Sequence, residues 1–182
     1  MPRYIAFLRT INVGGRVVKM DRLRALFAAM GLDDVETFIA SGNVIFDSTS
    51  KAPRALEQRI EEQLRQALGY EVATFLRSAP ELAAVAAYQP FGASEQAAAG
   101  HALWVGFLKA PPSEEARQRL LGLRTATDDF QAHGREVYWA RRTKFSESAI
   151  SGALLERALG APMTMRNVTT VRKLAAKYAA AR

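Results

Sequence analysis

The sequence predicts an α+β protein made of two tandem βαββαβ halves with mainly antiparallel sheets. Three observations lead there. Short apolar runs and helical stripes follow one another in the order β-α-β-β-α-β between Tyr4 and Leu76, and again between Ala102 and Met165. The halves share a spaced signature: Ala67-Leu68-Gly69 leads to Arg77-Ser78 and then Leu82 and Val85, as Ala158-Leu159-Gly160 leads to Arg166-Asn167 and then Val171 and Leu174. A stretch with Pro90, Gly92 and an alanine run separates them, as linkers do. Residues 1–88 are expected to form the first half with a short trailing helix. Residues 89–100 would be the linker, and 101–182 the second half with a C-terminal helix.

Tyr4–Leu8 is a continuous apolar run, short enough for a buried strand. After the loop Ile11-Asn12-Val13-Gly14-Gly15-Arg16, the residues Met20, Leu23, Leu26, Phe27 and Met30 recur at helical spacing. Asp21 stands in the first turn, where the helix dipole favours an anion, and Gly31 ends the helix. Val35, Thr37 and Ile39 alternate with their neighbours as in a strand, and Val44-Ile45-Phe46 returns across the Ser41-Gly42-Asn43 turn. Asp33-Asp34 and Asp128-Asp129 read as turn residues. Leu56, Ile60, Leu64 and Leu68 mark a long helix closed by Gly69, followed by a strand over Val72–Leu76. Ser78-Ala79-Pro80-Glu81 is a capping box opening a short helix.

In the second half, Ala102–Leu108 is a strand and Ser113 caps a helix carrying Ala116, Leu120 and Leu123. Asp129–His133 and Glu136–Ala140 form a hairpin around Gly134. Ile150, Leu154 and Ala158 mark a helix ended by Gly160. Pro162–Met165 is a short strand, and Asn167 caps a last helix with Val171, Leu174 and Tyr178.

Composition narrows the chemistry. The chain has 182 residues, 49% of them hydrophobic, long enough to bury roughly 70% of its unfolded surface without staples. It has no cysteine, which excludes disulfides, thiolate zinc sites and thiol nucleophiles. His101 and His133 do not stand at metal-ligand spacing, so no metal and no cofactor are expected. No Gly-x-Ser-x-Gly elbow, P-loop or Gly-x-Gly-x-x-Gly loop occurs, and no catalytic residue is named by the sequence. Adjacent acids such as Glu61-Glu62 read as solvated helix surface. With no signal peptide and no apolar run near the roughly 18 residues of a membrane span, a cytoplasmic protein without a membrane partner is expected.

The formal net charge is +7. That balance permits a phosphate-rich partner. The run Tyr138-Trp139-Ala140-Arg141-Arg142-Thr143-Lys144-Phe145 interleaves cations with aromatics, as single-stranded nucleic-acid sites do. In a strand, however, neighbouring side chains point to opposite faces, which puts Trp139 or Tyr138 in the core.

Topology locates a sharper candidate. In a βαββαβ unit the exit of the first strand and the tip of the central hairpin share one edge of the sheet. Arg9, Asn12, Gly14 and Gly15 should therefore lie near Ser41, Gly42 and Asn43. Paired glycines turn backbone amides toward one point, and the helix starting near Lys19 adds its positive end. Arg9, Arg16 and Lys19 bring charge, while Asn12, Ser41 and Asn43 bring neutral donors and acceptors. The cluster suits a small phosphorylated or carboxylated ligand. Arg166-Asn167, ahead of the last helix, offers a second cation beside a helix start, although Asn167 is also explained as a cap. The alternatives are a nucleic-acid-binding module using the basic surface, and a structural or partner-binding protein whose motifs serve only its turns.

These residues resemble the domain of unknown function 1697 family of bacterial proteins. The resemblance rests on Phe7-Leu8-Arg9-Thr10-Ile11-Asn12-Val13-Gly14-Gly15, Met20 with Leu23-Arg24, the stretch from Val35 to Phe46, Leu155–Gly160, and Thr164–Leu174. Thr10 stands where the family pattern has glycine, and Val168 where it has tryptophan. The resemblance implies two ferredoxin-like halves and no particular reaction. Its motif positions map onto Arg9, Asn12, Gly14, Ser41, Gly42, Asn43, Arg166 and Asn167.

Overall fold

The computed structural model describes residues 1–12, 14–92, 102–142 and 148–180. His101, most of the expected linker, and Thr143, Lys144 and Phe145 of the cationic–aromatic run lie outside these. The described chain folds as β1 (Arg3–Leu8), α1 (Met20–Ala29), β2 (Asp33–Thr37), β3 (Asn43–Asp47), α2 (Pro53–Leu68), β4 (Thr74–Ser78) and α3 (Ala79–Ala87). It continues as β5 (Ala102–Phe107), α4 (Glu114–Leu121), β6 (Asp128–His133), β7 (Glu136–Arg141), α5 (Gly152–Leu159), β8 (Thr164–Asn167) and α6 (Val168–Tyr178). The strands form two four-stranded antiparallel sheets, ordered β2-β3-β1-β4 and β6-β7-β5-β8. This is the ferredoxin-like order, present twice. Among the described residues no helix is long and apolar enough to cross a membrane.

By its internal contacts the chain divides into two compact units, Met1–Ala83 with Leu174–Arg182, and Ala84–Lys173. The end of α6 therefore belongs to the first unit, where the Tyr178 hydroxyl donates to Glu36 at 2.9 Å and its ring meets Phe38 edge-on. The end of α3 belongs to the second, where Tyr88 stacks on His133 with ring centroids 3.9 Å apart.

In the first unit, α1 and α2 pack on one face of the sheet around Tyr4, Ala6, Leu8, Leu23, Phe27, Val44, Phe46, Ile60 and Leu64. Each leucine, valine, isoleucine and phenylalanine among them contributes roughly 1.5–3 kcal/mol on full burial. The opposite face is buried too: Ile5, Phe7, Ile45 and Phe75 are solvent-free. Burial of both faces explains why β1 and β3 read as continuous apolar runs rather than alternating ones.

β4 is an edge strand, and acids close its outward amides. Thr74 N donates to Glu61 at 2.8 Å, Leu76 N to Glu57 at 2.9 Å, and Ser78 N to Glu81 at 2.8 Å. Glu57 and Glu61 are one turn apart on α2, so a single helix face serves two rungs. Glu61 is thus a strand cap rather than a solvated helix acid. The Ser78–Glu81 box closes reciprocally, with Glu81 N donating to Ser78 Oγ at 3.4 Å. In the second unit Met163 N donates to Glu156 at 3.0 Å, just ahead of edge strand β8.

Three local readings of the sequence need correction. Asp33 and Asp34 are not turn residues but open β2, where the pairing register shifts between Asp33 and Glu36 and Asp34 takes φ 46°. Ile39 is not in a strand; it sits in the hairpin loop at φ 51°. Asp128 is a buried strand residue. It accepts from Trp139 Nε1 at 2.8 Å, Thr125 Oγ1 at 2.9 Å, Thr127 Oγ1 at 3.1 Å and Ser148 Oγ at 3.1 Å. Desolvation pushes the Asp128 pKa up, but these four donors outweigh it and hold the carboxyl below its ordinary value.

Two outcomes follow. Glu57→Ala leaves the buried Leu76 amide unsatisfied and should lower stability by about 1–3 kcal/mol in urea unfolding, whereas Glu62→Ala, at an exposed site on the same helix, should leave the midpoint nearly unchanged. Because folding depresses the Asp128 pKa, its contribution is complete above the ordinary carboxylate value of about 3.9 and is lost as pH falls through the lower folded value. Asp128→Asn should remove that part of the acid sensitivity while lowering stability at neutral pH.

Candidate functional site

The exit of β1 is gripped from both sides. Leu8 N donates to Gly42 O at 2.8 Å, and Arg9 N donates to Ala73 O at 2.9 Å. Phe7 pairs with Asn43 across the β1–β3 ladder, so the glycine loop and the Ser-Gly-Asn turn share one sheet edge, as the topology predicts. Asn12 ties them directly. Its Nδ2 donates to Ala40 O at 2.9 Å, and its Oδ1 accepts from Val18 N at 2.7 Å. One side chain thus spans the hairpin loop and the lead-in to α1.

The turn is built around a glycine with no room to change. Gly42 has φ 78°, and a Cβ there would stand 3.2 Å from both Ile11 Cβ and Leu8 Cβ. Asn43 is fully buried; its Nδ2 donates to Phe38 O at 3.0 Å and Ser41 Oγ at 2.9 Å, closing the loop from within. Ser41 is exposed.

The loop from β1 to α1 repeatedly enters left-handed backbone. Thr10 has φ 60°, Asn12 59°, Gly14 64° and Gly15 80°. Ile11 between the first two does not enter that region, so the sign of φ alternates from Thr10 to Asn12. Gly14, Gly15, Arg16 and Lys19 are exposed, while Arg9 and Asn12 are half-buried. The Arg16 guanidinium lies 4.4 Å over the Tyr70 ring. Lys19 is the N-cap of α1 and makes no side-chain cap bond. The acid of the first turn, Asp21, pairs with Arg24, which also donates to Thr37 at 2.7 Å.

Arg9, Asn12, Gly14, Gly15, Lys19, Ser41, Gly42 and Asn43 all belong to the first unit, on this edge. Arg166 and Asn167 belong to the second, at the end of β8. Arg166 is buried, donating to Thr164 Oγ1 and Met165 O, both at 2.9 Å. Burial pushes its guanidinium down to about 10. Asn167 Oδ1 accepts from Thr169 N at 2.9 Å, a helix cap as read from sequence. Arg141 is also withdrawn: only 7% exposed, it lies 5.7 Å from the Trp104 ring and 5.5 Å from the Trp139 ring.

Sequence reasoning passed over Tyr70, Val17 and Ile39 as members of this edge. The Tyr70 contact crosses half the first unit and leaves no trace in spacing. The left-handed φ of Ile39 is hidden by an alternation that runs straight through it.

A family model described as "Protein of unknown function (DUF1697)" matches residues 1–138. The chain belongs to the DUF1697 family. The matched stretch contains the whole loop–turn edge, and the motif around Arg166 lies beyond it. No curated protein matches the chain. A solved structure titled as that of conserved bacterial protein SP0830 from Streptococcus pneumoniae is similar in fold. Its TM-score is 0.76 at 22% identity, covering 97% of this chain and 98% of its own.

Thr10 is a point of backbone strain in this loop. A β-branched residue at φ 60° is in a region that L side chains avoid, at a cost of about 1–2 kcal/mol. Thr10→Gly should relieve that strain, less the added freedom of the unfolded chain, for a net gain of about 0.5–1 kcal/mol. Gly42→Ala should lose at least about 1–2 kcal/mol from φ alone. Urea midpoints of both variants measure this.

Proposed function

We propose that this edge of the first unit binds a small anionic ligand, phosphorylated or carboxylated, on the backbone amides of the glycine loop with Arg9, Arg16 and Lys19 around them. The observation that carries the reading is a contrast between the two halves. The equivalent connection of the second half, Leu108-Lys109-Ala110-Pro111-Pro112-Ser113, has no residue at positive φ, and Ser113 Oγ caps α4 conventionally by accepting from Ala116 N at 3.1 Å. A βαββαβ unit can therefore join its first strand to its first helix without left-handed backbone. The first half nevertheless carries it at Thr10, Asn12, Gly14 and Gly15, and leaves the start of α1 without a side-chain cap. Backbone strain retained beyond what the topology requires is characteristic of ligand sites, and an uncapped helix start beside cations favours negative charge. A nucleic-acid surface has less behind it, because Arg141 is buried against indole rings rather than displayed.

Amide NMR tests the reading. Inorganic phosphate, sugar phosphates, mononucleotides and dicarboxylates should shift the Gly14 and Gly15 resonances, and added salt should weaken the response. Arg9→Ala and Lys19→Ala should each weaken binding roughly two- to fivefold. Stationary glycine resonances with every probe, or equal responses from wild type and both variants, would remove the proposal.

A further inference from the structure

Beside Met1, the large apolar side chains left most open among the described residues are Val17 and Ile39, 78% and 54% exposed. Single exposed aliphatics are ordinary. This pair is different because both belong to the two segments that Asn12 ties together beside the glycine loop. The Asn12 carboxamide holds Val18 N at 2.7 Å and Ala40 O at 2.9 Å, so the residue following each aliphatic is gripped by opposite ends of the same amide. Ile39 is also β-branched at φ 51°, strained and yet unrewarded by burial. Arg16 adjoins Val17 in the chain and is steadied over Tyr70, and Lys19 follows at the exposed start of α1.

Resting on the anion site proposed above, we propose that its ligand is amphiphilic: an anionic group at Gly14, Gly15 and Lys19, joined to an aliphatic portion that packs across Val17 and Ile39. An exposed charge contact is weak and screened by salt. Covering two aliphatic side chains adds an attraction that salt does not screen. The two features together select a molecule with both parts over an inorganic ion.

The experiment is a titration series in which the anion stays constant and the alkyl chain grows: inorganic phosphate, then methyl, butyl and hexyl phosphate, followed at the Gly14 and Gly15 amides. Affinity should rise about two- to fourfold per methylene until both aliphatics are covered. The double variant Val17→Ser/Ile39→Ser, checked for an unchanged thermal midpoint, should bind inorganic phosphate as wild type does and lose the dependence on chain length. Wild type that binds phosphate with equal affinity along the series overturns the amphiphile and leaves the anion site standing. A chain-length dependence that survives in the double variant also overturns it, since the apolar portion would then lie elsewhere. If no probe moves either glycine, the anion site itself fails and this inference fails with it.

Discussion

The two hydrogen bonds that flank the end of β1, Leu8 N to Gly42 O and Arg9 N to Ala73 O, fix where the chain can go next. A central strand has no free side, so its last residues are held by the hairpin on one flank and by the approach to β4 on the other. Whatever follows must leave across the end of the sheet and return to start α1 on the helical face. That constraint places the glycine loop against the Ser-Gly-Asn turn, and Asn12 converts proximity into a fixed distance. Gly42 is the complement of this arrangement. With Leu8 and Ile11 packed 3.2 Å from where its Cβ would be, and φ at 78°, any other residue would strain the backbone and press on both neighbours.

Much of this fold is legible in the residues because its devices are local. Gly69 and Gly160 end equivalent helices in left-handed caps at φ 79° and 68°, and Ser78 with Glu81 forms the reciprocal box that its spacing predicts. The continuous apolar run of β1 reports burial on both faces. Long-range satisfaction is a different matter. Glu57 and Glu61 look like the solvated acids of an amphipathic helix, and only the position of β4 reveals them as partners for its outward amides. Arg141 reads as a surface cation among aromatics until the structure places it against Trp104 and Trp139. Asp128 reads as a turn residue because turn chemistry and a buried hub of neutral donors use the same side chain.

The candidate site divides along the same line. That the loop and the turn meet follows from strand order alone. The state of their polar groups does not. Asn12 and Asn43 were expected to offer donors and acceptors to a ligand, yet each is occupied in holding the loop: Asn12 between Val18 and Ala40, Asn43 between Phe38 and Ser41. They act as positioning residues for this edge.

That division of labour decides what can face a ligand. With the carboxamides engaged, the exposed groups along this edge include Gly14, Gly15, Arg16, Lys19 and the two aliphatics. Such a set discriminates poorly by hydrogen-bond pattern, because backbone amides and a lysine ammonium donate to any compact anion. Selectivity would then have to come from shape and apolar contact, the part supplied by Val17 and Ile39. Substituting Asn12 would disturb loop stability and any binding together and so could not separate the two. Changes confined to the cations or the aliphatics leave the hydrogen bonds of Asn12 and Asn43 in place, so a loss of binding in those variants, without loss of stability, is the signature of a site rather than a turn.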